Sequence, residues 1–345
     1  MKVLLLANQP ENTTRLKMFR DTLQGLGHDV AVPKFGTKNW MKIAGKAKEV
    51  VKSERPDAVH VFNVPDVIYH GLPKLKGEFF NHLIYDYRSP WGIEFSMTFG
   101  PLARSFGEHF ERELAAGADL ITTPNQPLGN KALSYSEVAG KRMYIIPNYP
   151  SRSFYSRESH ANAAKASNGE VGANGTASEE EECDIIFVGR ISAQEGITNL
   201  LALARDIPDR RFWIVGNGPF ASWYLRSLPE NVKFFGWQPR ERVAHLVSKA
   251  KICLIIPHDT PITPFATEKS IWKLNEYLSM GKIVIATGIT VEEKRKNLIV
   301  VKRSDFKQAV IENLDCVPQR MQEEDYRYWE MNEPVIREAY ESLKQ

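Results

Sequence analysis

The sequence predicts an α/β protein made of two doubly wound, Rossmann-like domains, each with a parallel sheet that has helices on both faces. Short β-rich apolar runs alternate with helix-period segments along both halves of the chain, which is typical of successive βαβ units. The two halves repeat this organisation, and 345 residues are enough for two hydrophobic cores. A polar segment with few apolar residues separates the halves.

The strands are predicted from the apolar runs in chain order. The first run leads into a helix that begins near Thr13 and places Leu16, Phe19 and Leu23 on one face. The predicted strands cover residues 3–7, 28–32, 58–62, 83–85 and 120–122 in the first half, and 184–188, 212–215, 232–235, 252–256 and 283–286 in the second half.

The segment 156–182 is rich in Ala, Asn, Ser, Gly and Glu. It cannot bury enough apolar surface to offset the entropy lost on ordering, so we predict a disordered tether or an inserted loop. The predicted domains are therefore an N-terminal Rossmann-like domain at 1–155 and a C-terminal one at 183–325. Residues 326–345 are predicted to form a C-terminal helix that could pack back on the first domain.

Composition excludes several classes of protein. A formal net charge of +3 is too small for a nucleic-acid-binding surface field, so nucleic acid is not expected as a partner. Cys183, Cys253 and Cys316 lack the paired spacing of a disulfide framework or a zinc site, which favours a reducing cytoplasm and no bound metal. No apolar run approaches the roughly 18 residues that a membrane-spanning helix needs, so we expect any membrane contact to be peripheral.

The run 267–282 carries the most chemistry. Ser270 is a predicted N-cap for a helix from Ile271, whose free N–H groups and positive dipole end can hold a diphosphate. Glu268 precedes this helix and Glu276 lies within it, so both carboxylates could accept hydrogen bonds from the hydroxyls of one extended ligand. The alternative is a pair of surface carboxylates beside a helix start.

This stretch resembles the retaining GT-B glycosyltransferases of the family 4 type (glycosyl transferases group 1). Their signature is the Glu-x7-Glu spacing. The second Glu of that spacing begins the run Glu-Tyr-Leu-x-x-Gly-Lys, here residues 276–282. The resemblance implies the GT-B fold, with two facing Rossmann-like domains, and sugar transfer from a nucleotide-diphosphate sugar with retention at the anomeric carbon. It also implies that Glu268 contacts the transferred sugar, that Glu276 binds the nucleotide ribose, and that no cofactor or metal is required.

Two glycine-containing turns in the second half extend the resemblance. Gly189 lets the backbone approach a phosphate, and Arg190 supplies a permanent bidentate charge, as in the family's Val-Gly-Arg-Leu element. Gly216 and Asn217 lie in a run that resembles the family's Val-Gly-x-Gly-Pro turn, and 232–237 resembles its base-contacting loop. These residues are predicted donor contacts.

One position departs from the family pattern. Glu195 stands before Gly196, where relatives carry a lysine that contacts the diphosphate. Lys273, in the first turn of the predicted helix, is expected either to compensate as a donor contact or to be an exposed helix lysine. A nucleotide-sugar-binding subunit with impaired catalysis is therefore one alternative to a transferase. A GT-B epimerase acting on the nucleotide sugar is another.

Residues 85–92 follow the fourth predicted strand, where relatives carry a His or Asp close to the reacting sugar. Asp86 is therefore, together with Glu268, a candidate catalytic residue. Arg88 is expected either to fix the ionisation of Asp86 or to bind the acceptor, and Trp91 is placed on the acceptor side. A purely structural Asp–Arg pair is the alternative.

Lys38, Lys42 and Lys46 recur every four residues with apolar residues between them. This pattern predicts a basic amphipathic helix that could lie on anionic lipid, at about 1 kcal/mol per lysine. The alternatives are a solvated lysine face or a membrane-surface scaffold without catalysis. The predicted location is the cytoplasm, peripheral on the inner face of the membrane.

The sequence thus predicts a retaining glycosyltransferase, hexosyltransferase-like, that moves a sugar from a UDP- or GDP-linked donor. The expected acceptor is a glycan or a polyprenyl or other lipid-linked molecule, and the expected role is glycan biosynthesis. Donor base, sugar and linkage depend on pocket shape and loop backbone, so the motifs leave them open.

Overall fold

The structure is a computed structural model that describes residues 1–138, 140–155 and 182–344. It divides into two compact units. Unit 1 comprises Met1–Asn148, Pro264–Ser270 and Trp329–Gln345, and unit 2 comprises Tyr149–Thr263 and Ile271–Tyr328. Neither unit is one continuous stretch of sequence. The predicted tether at 156–182 lies almost entirely outside the described residues.

Within the described residues, unit 1 contains a six-stranded parallel sheet with the strand order β2-β1-β3-β4-β5-β6. The predicted strands of the first half each overlap one of its strands, which are β1 Lys2–Leu6, β2 Asp29–Ala31, β3 Ala58–Phe62, β4 His82–Asp86, β5 Leu120–Thr123 and β6 Arg142–Ile145. The central strands are apolar and buried along almost their whole length, as expected for a parallel sheet covered on both faces.

The described part of unit 2 repeats this plan with the strand order β12-β11-β10-β7-β8-β9, again all parallel. Its strands are β7 Cys183–Val188, β8 Phe212–Val215, β9 Val232–Phe234, β10 Ala250–Ile255, β11 Ile283–Ala286 and β12 Leu298–Val300. The edge strands β6 and β12 had no counterpart in the sequence prediction, because both are short and only half buried and so lack a continuous apolar run.

Most of the described α-helices lie between these strands in sequence, and the last two follow β12. In chain order they are α1 Thr14–Gly25, α2 Trp40–Glu54, α3 Trp91–Phe99, α4 Ala103–Gly117, α5 Gln126–Leu133, α6 Ile197–Asp206, α7 Ala221–Tyr224, α8 Arg240–Ser248, α9 Trp272–Ser279, α10 Phe306–Asn313 and α11 Glu333–Glu341. Helix α1 buries Leu16, Phe19 and Leu23, as their spacing predicted. Every described helix is too short or too polar to span a bilayer.

Each unit has its own hydrophobic core. The core of unit 1 combines aliphatic strand residues with the aromatic side chains of Tyr85, Tyr87 and Trp91. The core of unit 2 is mainly aliphatic, with Phe187 and Phe212 as large contributors. The C-terminal helix α11 belongs to unit 1, where the Tyr340 hydroxyl lies 2.8 Å from Nδ1 of the buried His60.

Candidate functional site

The loops at the carboxyl ends of the strands in the unit 2 sheet, referred to here as its carboxyl edge, contain glycines that contact neighbouring backbone closely. Ligands of doubly wound sheets bind at this edge, and β7 and β8 end there side by side. A Cβ atom on Gly216 would lie 1.9 Å from the carbonyl oxygen of Gly189, and a Cβ on Gly218 would lie 2.3 Å from that of Ile191. Only glycine therefore fits at 216 and 218. The predicted donor residues Gly189 and Gly216 are brought together by this contact.

A third glycine precedes helix α6. Gly196 has φ +85°, and a Cβ atom there would lie 1.9 Å from the carbonyl oxygen of Ile256. The side chain of Glu195, the residue that departs from the family pattern, is held directly before this turn. Asn217 is exposed, and its side-chain oxygen accepts a hydrogen bond from the backbone N–H of Gly218 at 2.8 Å.

Two cationic side chains at the carboxyl edge, those of Arg190 and Lys273, differ in whether they form an ion pair. Arg190 follows Gly189, is exposed, and makes no ion pair with any residue that the structure describes. Lys273 lies in the first turn of α9, and its Nζ is 2.6 Å from Oε2 of Glu195. The same Nζ is 3.0 Å from the position of a Cβ on Gly189, so the ammonium lies beside the glycine turn. Glu195 therefore neutralises the lysine that was expected to replace the missing one.

Glu276 lies one helical turn after Lys273 on α9. Its Oε1 accepts a hydrogen bond of 2.7 Å from Nη2 of Arg240, the first residue of α8, and about a quarter of the Glu276 side chain is exposed. Nothing in the sequence pattern identified Arg240, because the two residues are 36 positions apart. The two charged side chains of α9 are thus both paired, Glu276 with the first residue of α8 and Lys273 with a residue two positions before α6.

The prediction that Ser270 caps this helix is wrong. Helix α9 begins at Trp272, and the residue before it, Ile271, provides no side-chain cap. The Ser270 hydroxyl instead donates to the carbonyl of Thr267 and accepts from its N–H, both at 3.0 Å. The hydroxyl closes its own turn, which leaves it with no part in the helix end.

The turn that contains Ser270 belongs to a segment of unit 1. The amide of Asn125 donates to the carbonyl of Phe265 at 2.8 Å, and the amide of Asn148 donates to the carbonyl of Ser270 at 2.8 Å. Glu268 lies within this segment and is fully buried. The two carboxylates of the Glu-x7-Glu motif therefore belong to different units, Glu268 to unit 1 and Glu276 to unit 2.

Asp86, a candidate catalytic residue, ends strand β4 in the interior of unit 1. Arg15 donates to it through Nε and Nη2, each at 2.8 Å, and the Thr122 hydroxyl donates at 2.7 Å. Both Arg15 and Asp86 are almost fully buried. Burial alone would raise the pKa of Asp86, but the charge and hydrogen bonds of Arg15 lower it below its usual value. The carboxylate is therefore ionised and enclosed by donors.

Arg15, 71 residues upstream, lowers the pKa of Asp86 more than Arg88 does, and the charge of Arg88 makes a smaller contribution in the same direction. The Arg88 guanidinium instead donates to the carbonyl of Asn63. Trp91 is 3% exposed and packs against Phe95, with 5.2 Å between ring centroids. It is a core residue of unit 1, which argues against direct contact with an acceptor.

Arg15 also connects Asp86 with the Glu268 segment. Its Nη1 donates to Oδ1 of Asn148 at 2.9 Å, and the backbone N–H of Asn148 donates to the carbonyl of Lys269 at 2.8 Å. A buried chain of hydrogen bonds thus runs from β4 through Arg15 and Asn148 to the residue after Glu268. The motif did not reveal this connection between Asp86 and the segment that carries Glu268.

Buried acids form a second cluster in unit 1. The Tyr85 hydroxyl donates to Oδ1 of Asp66 at 2.5 Å, and Tyr135 donates to Glu111. Burial raises the pKa of Asp66 well above its usual value, and it raises the pKa of Glu111 to about 7. Within the described ranges, no group of three or more His, Cys, Asp or Glu side chains could hold a metal ion.

Helix α2 carries only part of the predicted lysine stripe. Lys38 precedes the helix, whose N-cap is Asn39, while Lys42 and Lys46 lie one turn apart within it. Lys46 donates to the carbonyl of Phe35 at 2.7 Å. The stripe therefore breaks at the helix start, because the Asn39 side chain caps the helix by accepting from the N–H of Lys42.

Comparison with known proteins supports the fold and part of the functional prediction. Residues 182–316 match the model of the family described as glycosyl transferases group 1, which covers less than half of the chain. No curated protein sequence matches.

Several solved structures match nearly the whole chain. Sucrose-phosphate synthase from Thermosynechococcus elongatus has 13% identity and a TM-score of 0.65, covering 99% of this chain and 95% of its own. Anabaena HepE, in complex with UDP and glucose, has 13% identity and a TM-score of 0.62 over 100% and 99%. UDP-GlcNAc 2-epimerase from Methanocaldococcus jannaschii has 11% identity and a TM-score of 0.59 over 99% and 100%. These likenesses establish the GT-B fold of two Rossmann-like domains, so the predicted fold class is confirmed.

Proposed function

We propose that this protein is a retaining glycosyltransferase that moves a sugar, hexose-like in size, from a UDP- or GDP-linked donor to a glycan or lipid-linked acceptor. The observation that carries the proposal is the carboxyl edge of unit 2. There the backbones of the Gly189 and Gly216 turns meet, with Lys273 beside them and Glu276 one turn further along the same helix. The glycosyl transferases group 1 match spans all of these residues.

In this proposal the cations stabilise the leaving group. When the bond to the sugar breaks, negative charge develops on the departing nucleoside diphosphate. Arg190, which is exposed and makes no ion pair within the described residues, is available to neutralise that charge by donating bidentate hydrogen bonds to phosphate oxygens. Lys273 would share its ammonium between Glu195 and a phosphate oxygen. Retention without an enzymic nucleophile implies front-side displacement, with no cofactor or metal required.

The carboxylates have separate tasks. Glu276 is about a quarter exposed and bonded to Arg240, so a ribose hydroxyl can replace or join that partner. Glu268 keeps its expected role as a contact of the transferred sugar. Asp86 acts through Arg15 and Asn148 as a positioning residue for the Glu268 segment, and Arg88 is proposed on the acceptor side.

Trp237 is the proposed platform for the donor base. Its side chain is 72% exposed and follows strand β9 at the same edge. The preceding carbonyl, that of Gly236, accepts a hydrogen bond of 2.7 Å from the N–H of Gly216, which holds Trp237 close to the glycine turns. An exposed indole can stack on the flat face of a uracil or guanine ring.

The first experiment measures nucleotide release and binding. The protein is incubated with UDP- and GDP-sugars and candidate acceptors, and free UDP or GDP is detected. Calorimetry of Arg190→Ala is expected to show at least about tenfold weaker UDP or GDP binding, since charged hydrogen bonds to phosphate are lost. Arg320→Ala removes another exposed arginine of unit 2 and is the control. Equal affinities for the two variants would remove Arg190 from the donor site.

Glu268 and Trp237 are tested by effects of different kinds. Glu268→Gln is expected to lose sugar transfer while it retains nucleotide affinity.

Trp237→Ala is expected to weaken nucleotide binding by about tenfold, the size of one lost stacking contact. Trp223→Ala, at an indole that is 55% exposed, is the matched control. A Trp237→Ala protein with unchanged affinity would contradict the base platform.

Two alternatives have specific support. The Glu195–Lys273 pair favours a nucleotide-sugar-binding subunit, which would bind donors but release no nucleotide with any acceptor. The fold likeness to UDP-GlcNAc 2-epimerase favours an epimerase, which would convert the donor with no acceptor present. A thermal-shift screen against UDP, GDP, ADP and their sugars identifies the nucleotide sugar to use in testing all three hypotheses, the transferase, the binding subunit and the epimerase. The proposed location is the cytoplasm, peripheral on the inner membrane face.

A further inference from the structure

Unit 1 presents a group of large apolar side chains to solvent. We refer to this group as the apolar patch, and it consists of Trp40 and Met41 at the start of α2 and Phe99, Leu102 and Phe106 on α3, α4 and their connection. Leu102 is 94% exposed, Met41 76% and Phe99 64%. A folded chain rarely exposes so many large apolar side chains in one place unless they contact another molecule.

Ring contacts show that the apolar patch is continuous. Phe95 lies between its members, with ring centroids 4.5 Å from Phe99, 5.6 Å from Phe106 and 6.3 Å from Trp40. The start of α2 and the α3–α4 pair therefore share one surface.

The α3–α4 pair is a firm support for this surface. A Cβ atom on Gly107 would lie 2.5 Å from the Cα of Gly92, so the two helices touch backbone to backbone. Gly100 ends α3 with φ +91°, and Leu102 lies in the short connection before α4. The most exposed side chain of the patch is thus at the turn between two tightly packed helices.

The charge beside the apolar patch is positive on the α2 side. Residues 34–48 contain five lysines and no acid. On the α3–α4 side Arg104 is paired with Glu108, with 3.0 Å between Nε and Oε1, so that side adds no net charge. Lys38 and Lys42 flank Trp40 and Met41 in sequence, are exposed, and make no ion pair with the described residues. Lysine is depleted in protein–protein interfaces, whereas a lysine rim around exposed aromatic and aliphatic side chains suits an anionic lipid surface.

We infer that the apolar patch docks this protein onto an anionic lipid bilayer. Phe99 and Leu102 enter the boundary between headgroups and acyl chains, and Lys38 and Lys42 contact lipid phosphates. This identifies the α3–α4 turn as the inserting element, with the lysines of α2 supplying the charge. The inference deepens the proposed lipid-linked acceptor, but its test needs neither donor nor acceptor.

The test is cosedimentation with vesicles of phosphatidylcholine and phosphatidylglycerol, compared with vesicles of phosphatidylcholine alone. The unaltered protein is expected to bind the anionic vesicles. Phe99→Ser/Leu102→Ser should lower the partition coefficient by at least about tenfold, because two inserted apolar side chains are lost. Val291→Ser/Val317→Ser, at residues of unit 2 that are 45% and 88% exposed, is the matched control and should bind normally.

Charge is tested separately. Lys38→Glu/Lys42→Glu should lower binding to the anionic vesicles by at least about tenfold, since each lysine near the surface contributes to attraction. Lys17→Glu/Lys294→Glu makes the same change in net charge at two other exposed lysines and should have a much smaller effect.

Three outcomes would overturn the inference. The unaltered protein could fail to bind anionic vesicles, or the Phe99→Ser/Leu102→Ser protein could bind them normally. The third is a dimer that dissociates in that variant while vesicle binding is unchanged, which would show that a second copy covers the patch. UDP and GDP affinity of the variant is measured in parallel, so that failure of the donor site and failure of membrane docking are distinguished.

Discussion

The carboxyl edges of the two sheets are constructed differently. In unit 1 the central feature is a buried ion pair, Arg15 with Asp86, whose members come from an N-terminal helix and the end of β4. In unit 2 the loops are fixed by backbone contact at glycines, and the charged pairs Lys273–Glu195 and Arg240–Glu276 are partly open to solvent.

This difference has functional consequences. Charges that are enclosed and fully bonded hold a structure in place, whereas charges at a solvent-accessible edge can exchange a protein partner for a ligand. Unit 2 thus has partly exposed ion pairs, as the proposed donor site requires. Unit 1 has a rigid support for the segment that carries Glu268.

The largest expected effect is at the buried pair. Arg15→Met should lower the free energy of unfolding of unit 1 by about 4 kcal/mol, because it leaves the Asp86 carboxylate buried without its partner. Arg337→Met, which breaks the exposed pair with Glu333 in the same unit, should cost less than about 1 kcal/mol. Urea unfolding measures both. Similar losses in the two variants would mean that Asp86 does not depend on Arg15.

The second largest effect on stability is expected at a glycine contact of unit 2. Gly196→Ala should destabilise unit 2 by about 3 kcal/mol, since the methyl group meets the Ile256 carbonyl at 1.9 Å and φ is +85°. Gly281→Ala has a similar φ of +70° but open space around the new atom, and should cost only about 1 kcal/mol. The difference between the two, measured by urea unfolding, isolates the backbone contact. Equal losses of stability in the two variants would mean that the positive φ angle determines the loss and that the contact with the Ile256 carbonyl does not.

Two buried groups of unit 1 should give opposite pH dependence. Burial lowers the pKa of His60 from 6.5 to about 3, so stability falls as the pH decreases from 6.5 towards 3. Burial raises the pKa of Glu111 from 4.5 to about 7, so stability falls as the pH increases from 4.5 through 7.

Each of these groups contributes a slope of about 1.4 kcal/mol per pH unit, and the slopes oppose each other between pH 4.5 and 6.5. Relative to the unaltered protein, the stability of His60→Gln should therefore change towards a steeper fall as the pH rises in that window, and that of Glu111→Gln towards a shallower fall or a rise. Unfolding free energies of the three proteins at several pH values measure these changes of slope. A change of slope with the same sign in both variants would contradict the assignment.

The smallest effect is expected at the Lys273–Glu195 pair. A double-mutant cycle with Lys273→Met and Glu195→Gln should give a coupling energy of less than about 1 kcal/mol, because both side chains reach solvent. The equivalent cycle with Arg15→Met and Asp86→Leu should give a several-fold larger value. A coupling as large in unit 2 as in unit 1 would remove the contrast between the two edges.

The sequence predicted most of the fold. Each predicted strand overlaps an observed one, because central parallel strands are continuous apolar runs that can be recognised locally. The spacing of Leu16, Phe19 and Leu23 correctly gave the buried face of α1. The edge strands β6 and β12 were missed, since half-buried residues at a sheet edge carry a weak pattern.

The candidate site residues were predictable only where a short motif contains them. Gly189 and Gly216 lie in two such motifs, although the contact that requires glycine at 216 is made with the carbonyl of Gly189 in the other motif. Arg15 and Arg240 were missed because their partners lie 71 and 36 residues away. Ser270 was misassigned because its residue type suits a helix cap, whereas the segment that carries it is held by Asn125 and Asn148 of unit 1.

The division of unit 1 among three stretches of sequence limits how the protein can be cut for study. A fragment that stops at residue 155 lacks both 264–270 and the C-terminal segment. It would uncover the surface on which Trp329 packs, where its indole N–H donates to Thr22 at 2.8 Å and its ring meets Phe19. It would also leave the amides of Asn125 and Asn148 without their carbonyl acceptors. The N-terminal half expressed alone should therefore aggregate, and biochemical work on either unit requires the intact chain.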